Sequence, residues 1–196
     1  AFLLSKYGLA ADAAGDHEQA VQYHHEGREI FVKSGDLGGQ GYTLSRLSWS
    51  HYLQGEYDLA RRYALEGLDK FEQINHRWGI AVSFGRLGLA ETELGQLSAA
   101  AQHFLACLDQ ATEAGLGLQQ HYAITGIGRA LVKAGRFEEA GKLLEFEVGV
   151  DGNLYREFAQ AGLDLMPEDV RPTQPPEKLD LASATSLCRR AAQTLA

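Results

Sequence analysis

A glycine followed five residues later by an alanine returns every 40 residues along this chain, and that recurrence limits its fold more than any other feature. The four copies are Ala14-Gly15-Asp16-His17-Glu18-Gln19-Ala20, Gln54-Gly55-Glu56-Tyr57-Asp58-Leu59-Ala60, Leu94-Gly95-Gln96-Leu97-Ser98-Ala99-Ala100 and Ala134-Gly135-Arg136-Phe137-Glu138-Glu139-Ala140. A period of about 20–50 residues marks an array in which each unit is one supersecondary element, able to bury its apolar face only by stacking on a neighbour.

Other columns keep the same register. Leu4, Leu44, Phe84 and Ile124 are apolar, as are Tyr7, Leu47, Leu87 and Ile127. The next column, Gly8, Ser48, Gly88 and Gly128, is small throughout. A larger side chain there would hold two helices apart, and overpacking of that kind costs roughly 1 to 3 kcal/mol. The alanines at 20, 60, 100 and 140 are expected to meet this column from the opposite helix, small against small.

Each unit is therefore predicted as helix, tight turn, helix, with the glycine in the left-handed conformation that ends the first helix. Asp16, Glu56 and Glu138 are expected in the first turn of the second helix, where the macrodipole favours negative charge. The second helices should run through Phe31, Phe71 and Ala111 to breaks at Ser34-Gly35-Asp36, Asn75-His76 and Ala114-Gly115. Ala60, Ala64, Leu65, Leu68 and Phe71 have the spacing of one buried helical face.

Small columns in facing helices, a glycine at the turn and an alanine five residues later resemble the tetratricopeptide repeat over residues 1–148. The unit exceeds the usual length of about 34 residues. Its strings, such as His76-Arg77-Trp78-Gly79 ahead of Gly85-Arg86-Leu87-Gly88-Leu89-Ala90-Glu91-Thr92-Glu93-Leu94-Gly95, resemble the sensor arrays of large bacterial signal-transduction ATPases and allied transcriptional regulators. The resemblance implies an all-α, right-handed superhelix of antiparallel helix hairpins. It also implies a scaffold that binds a protein or peptide in a concave groove lined by the first helix of each pair. In such proteins the ATPase and DNA-binding parts lie elsewhere in the full chain.

The register divides residues 1–150 into four units, about 1–36, 37–76, 77–116 and 117–150. Glu147 stands where the earlier units have Gly27, Gly67 and Cys107, so the fourth unit should end differently. A short helix is expected within 151–166 with Leu154, Phe158, Ala161 and Leu165 on one stripe. Pro167, Pro172, Pro175 and Pro176 mark a linker over 167–179. Asp180 could cap a last helix over 180–196, with Leu181, Ala184, Cys188, Ala191 and Leu195 on one face, folding back over an exposed end of the array.

Composition narrows the function. Acidic residues outnumber basic ones, 26 to 18, for a formal net charge of −8. That argues against a face dedicated to duplex DNA or anionic lipid, so direct nucleic-acid binding is not expected. Cys107 and Cys188 lack the C-x-x-C spacing of metal or redox motifs and read as free thiols in a reducing compartment. No apolar run reaches signal-peptide or membrane-spanning length. The chain opens on Ala rather than Met, and the expectation is a piece of a longer cytoplasmic protein.

No enzyme or cofactor signature is present. Gly126-Ile127-Gly128 and Gly115-Leu116-Gly117 lack the third glycine and the preceding strand of a dinucleotide loop. Adjacent His24 and His25 diverge by about 100 degrees on a helix, so they do not share a metal ion easily. His24 takes the place of a core aromatic, as Phe104 does in its column. Trp78 is expected to be a packing residue.

What remains is the groove. Its predicted lining is Tyr42, Ser45, Arg46, Trp49, Tyr52 and Leu53 in unit two, Val82, Gly85, Arg86, Leu89 and Glu93 in unit three, and Tyr122, Thr125, Arg129 and Lys133 in unit four. Lys6, Arg46 and Arg86 share a column and should form a cationic ladder suited to an acidic segment or a free carboxylate. Tyr42, Trp49 and Tyr122 are of the type enriched in binding hot spots. The alternative is that each arginine pairs with an acidic residue of the next repeat and only supports the stack. Two further readings are a small-ligand or signal-peptide sensor and self-association into a homodimer through terminal helices.

Overall fold

The computed structural model describes residues 1–150, 155–172 and 179–195. Among these, ten α-helices and one 3-10 turn follow one another without a strand. Four hairpins pair α1 (Phe2–Ala13) with α2 (His17–Ser34), α3 (Leu37–Leu53) with α4 (Tyr57–Gln73), α5 (Arg77–Glu93) with α6 (Leu97–Glu113) and α7 (Gly117–Lys133) with α8 (Phe137–Gly149). After them come α9 (Arg156–Asp164), the 3-10 turn Glu168–Val170 and α10 (Leu181–Leu195). This is the expected all-α superhelix of 40-residue hairpins.

Local chemistry explains the boundaries. Gly15, Gly55, Gly95 and Gly135 all have φ between +73° and +82°, the left-handed conformation that closes a first helix at little steric cost. Between units Gly35 and Gly115 serve likewise, and Asn75, at φ 50°, does so at the second boundary. Asp16 and Glu56 stand one residue outside their helices, as caps, and not in the first turn as expected. The Asp16 side chain accepts the Gln19 amide at 3.1 Å, whereas the Glu56 carboxylate lies 2.5 Å from His51 Nδ1.

The small column corrects the expectation that small faces small. A methyl group on Gly8 would lie 2.3 Å from the His24 ring, one on Gly88 2.8 Å from Phe104, and one on Gly128 2.8 Å from Leu144. The glycines make room for a large buried side chain of the partner helix. Unit two, which has Ala64 at that partner position, carries Ser48 in place of glycine.

Each first helix approaches the next, α1 to α3, α3 to α5, α5 to α7 and α7 to α9, while no second helix comes as close to its successor. The first helices therefore form the inner layer of the curve, a continuous surface from α3 to α9.

The C-terminal region differs from the expected arrangement. Glu147 is wholly buried, 3.1 Å from His121 Nδ1, and α8 has 13 residues where α4 and α6 have 17. Helix α9 packs against α7 and α8, in the next place of the inner layer; Gly162, 40 residues after Tyr122, lies against Leu144 and Arg129. Its buried residues are Ala159 and Gly162, whereas Ala161 and Leu165 are exposed, so the stripe is rotated from the expected one. Small residues are turned inward because the neighbouring helices come close. Leu154, Pro175 and Pro176 lie outside the described residues. Helix α10 packs along α6, α7 and α8 through Ala184, Cys188, Ala191 and Ala192, with Asp180 accepting the Ser183 amide at 2.7 Å. It lies on the flank of the array, and α9, not α10, follows the last hairpin.

Both cysteines are free and buried, and burial pushes the Cys107 thiol up to about 12 and the Cys188 thiol upward as well. A thiol-specific reagent at pH 8 is therefore expected to label neither in the native protein and both after unfolding. Rapid native labelling would mean that α10 opens.

A candidate docking face on the first helices

The inner face takes its side chains from spacing alone. Tyr42, Arg46 and Trp49 stand at i, i+4 and i+7 on α3, and Arg86 follows Arg46 by one repeat on α5. Tyr42, Arg46, Trp49, Tyr52, Arg86 and Arg129 are all half-buried, Lys6 is exposed, and Tyr122 is 8% exposed.

Arg46 donates to the Tyr42 hydroxyl at 3.1 Å and lies over its ring, 4.9 Å from the centre. Arg86 lies 4.2 Å from the centre of the Trp49 ring and donates to the Tyr122 hydroxyl at 3.4 Å. Its Nε is buried without a hydrogen-bond partner among the described residues. Trp49 in turn stacks on Tyr52 at 5.4 Å. Aromatic faces hold these guanidinium groups in place without neutralising them. Among the described residues no carboxylate lies within 4.0 Å of Lys6, Arg46 or Arg86.

The C-terminal half of the face is different. Glu93 receives Lys133 at 2.5 Å and lies 3.8 Å from Arg129, and the Tyr52 hydroxyl donates to it at 3.5 Å. Burial, with the Glu93 charge added, pushes the Tyr52 hydroxyl up to about 12. Arg129 is covered by the Phe158 ring at 4.0 Å. Pairing with an acid of the adjacent repeat thus describes Arg129, but neither Arg46 nor Arg86. The cations of the face that have no carboxylate within 4.0 Å among the described residues, Lys6, Arg46 and Arg86, belong to units one to three.

Tyr122 is not the surface anchor expected of it. A methyl group on Gly85 would lie 2.3 Å from Tyr122 Cε1, so the missing side chain lets the ring sink to the floor of the face. Tyr155 closes over it, with ring centres 5.0 Å apart. Burial raises the Tyr122 hydroxyl pKa against the opposing charge of Arg86. Tyr155 and Phe158 escape a reading of four units because they belong to a partial fifth. The 40-residue register does not reach them unchanged: Gly162 meets Leu144 as Gly126, 36 residues earlier, meets Phe104, one helical turn short of a full repeat.

The histidines are used in packing. His24 is fully enclosed, and carboxylates lie near His17 (Asp12, 3.0 Å), His103 (Glu91, 2.6 Å) and His121 (Glu147). Ser50 donates to Asp12 Oδ2 at 2.8 Å, so its hydroxyl proton is directed at a carboxylate and not at an imidazole, the reverse of a nucleophilic relay. Among the described residues no group of three or more His, Cys, Asp or Glu is placed to hold a metal ion. Trp78 meets Phe71 edge-on at 6.5 Å, in a packing position. Among the described residues no helix is long and apolar enough to cross a membrane. A cavity of about 1100 Å³ opens between α8 and α10, lined by Phe137, Lys142, Glu145, Leu187 and Arg190, and shares no residue with the inner face.

Fold and site together define a class: a helical-hairpin repeat array with a partly cationic, aromatic inner surface. The family model described as tetratricopeptide repeat matches residues 41–75, which span nearly all of α3 and α4. That match, with the same hairpin built four times, supports a tetratricopeptide-repeat protein, a kind of fold that generally acts as an interaction scaffold without catalysis. No curated protein matches the chain.

Proposed function

We propose that this chain is a protein- or peptide-binding scaffold whose inner face receives an acidic segment, or a free C-terminal carboxylate, across units one to three. Arg46 and Arg86 carry the reading: they are held by Tyr42, Trp49 and Tyr122, and among the described residues no carboxylate lies within 4.0 Å of either. An arriving carboxylate would meet guanidinium groups that are already oriented, which lowers the ordering cost of binding. Catalysis plays no part in this reading. The resemblance of the repeat strings to bacterial sensor arrays favours the interaction part of a larger cytoplasmic signalling or transcription regulator.

The test compares the wild-type chain with Arg46→Ala/Arg86→Ala in binding to an array of acidic peptides, with amidated and free C-termini. A charge-assisted hydrogen bond is worth about 1.5–3 kcal/mol, so binding should weaken at least ~10-fold, while the melting temperature changes little. Equal binding by both proteins sinks the proposal, and a large loss of stability assigns the arginines to the stack.

A further inference from the structure

The outer face of the first unit is built like the joints inside the array. Thr43, Leu47 and Ser50 on α3 are sealed, as are Ser83, Leu87 and Ala90 on α5 and Ala123, Ile127 and Ala130 on α7. The matching residues of α1 are Leu3, 61% exposed, Tyr7, 50% exposed, and the exposed Ala10. In unit two the hairpin α1–α2 does the sealing. Phe31 lies over Gly39, Gly27 meets Thr43, Asp12 receives Ser50, His25 meets Tyr63, and Arg28 donates to Glu66 at 3.2 Å. The residues of α2 that match Tyr63 and Glu66 are Tyr23 and Glu26. Glu26 is exposed and has no ion-pair partner among the described residues.

We infer that the face formed by Leu3, Tyr7, Ala10, Tyr23 and Glu26 is a docking surface for a helical hairpin of this same repeat kind, seated in the 40-residue register with a cation opposite Glu26. In the internal joint α2 alone reaches both helices of the next unit, Gly39 and Thr43 on α3 and Tyr63 and Glu66 on α4, while α1 adds Asp12 at Ser50. The occupant that repeats the joint in full is therefore a hairpin, and it would cover Tyr7 and Tyr23 together, whose rings lie 5.7 Å apart. A second copy meeting the face head-on would set Tyr7 and Leu3 against their own kind. The internal joints instead set an aromatic ring on glycine, as Phe31 on Gly39 and Phe71 on Gly79. The charge pattern agrees: the hairpin that covers unit two supplies Arg28 to Glu66, and the face of unit one offers Glu26 in the same column.

Because position 41 is equivalent to position 1, residues 1–40 can be duplicated ahead of Ala1 without breaking the register. The added copy then places its own Arg28 opposite the original Glu26. The extended chain should stay monomeric and melt ~5 °C or more above the chain of 196 residues, since each new joint adds a nearest-neighbour term. Glu26→Lys in the original copy should leave the 196-residue chain unchanged but lower the melting temperature of the extended one, and Arg28→Glu in the added copy should restore it. No gain on extension, or the same effect of Glu26→Lys in both backgrounds, overturns the inference. So does a 196-residue chain that is dimeric by light scattering and becomes monomeric on Tyr7→Glu, because the face would then belong to a second copy.

Discussion

Phe104→Ala is expected to lower the free energy of unfolding by about 3–5 kcal/mol, the range for deleting a fully enclosed phenylalanine. The ring belongs to α6 and has no exposed surface. On one side a methyl group at Gly88 of α5 would lie 2.8 Å from it, and on the other a methyl group at Gly126 of α7 would lie 2.2 Å from it. Phe104 therefore fills the gap where three helices meet, and neither glycine can supply atoms to close the cavity left behind. At about 2–4 °C per kcal/mol for a chain of this size, the melting temperature should fall by roughly 6–20 °C. Gly126→Val should destabilise for the opposite reason, since a ring pressed against Gly88 has nowhere to retreat. Thermal and urea melts followed by circular dichroism measure both. A loss below ~1.5 kcal/mol for Phe104→Ala would mean that α5 and α7 collapse onto each other, and that the ring does not set their spacing.

That arrangement also marks how far the sequence could be read. Turns were legible because a left-handed residue has few chemical solutions, and glycine at 15, 55, 95 and 135 is a local signal. The small column was legible as a column, but its partner was not. Register identifies equivalent positions, whereas facing positions depend on how two helices are rotated about their axes. Gly8, Gly88 and Gly128 consequently proved to face His24, Phe104 and Leu144, and not the alanines. Register also set Lys6, Arg46 and Arg86 in one column, whose fourth member, Gly126, is turned toward Phe104. The aromatic partners of the arginines did not follow, because Trp49 reaching Arg86 and Phe158 covering Arg129 join residues 37 and 29 positions apart through side-chain rotamers. The path of α9 and α10 was the least legible. Both helices turn alanine and glycine toward the array, so hydrophobic periodicity carries little information about which face is buried.

Asp12→Asn is expected to destabilise the chain by ~1–3 kcal/mol at neutral pH, and the difference from wild type should shrink in acid. Only 4% of the Asp12 side chain is exposed. It ties the first hairpin to the second by accepting the Ser50 hydroxyl at 2.8 Å, with His17 Nδ1 at 3.0 Å and His24 Nε2 at 3.8 Å, both from α2. Burial pushes its pKa up, but the nearby His24, with the hydrogen bonds from Ser50 and His17, outweighs burial and holds the pKa below its ordinary value. A depressed folded pKa stabilises the native state at pH values above the unfolded value, about 3.9, and that stability is lost as pH falls through the folded value. Asparagine keeps the shape and can still accept from Ser50, but it carries no charge. The stability gap should therefore be constant from pH 7 to about 5 and close below about pH 4. Ser50→Ala separates the two contributions, because it removes the tie between α1 and α3 and leaves the ionised group among its histidines. A gap between wild type and Asp12→Asn that stays constant down to pH 3 would show that the charge of Asp12 contributes nothing and that the joint rests on the neutral hydrogen bond and the apolar contact of Gly27 with Thr43.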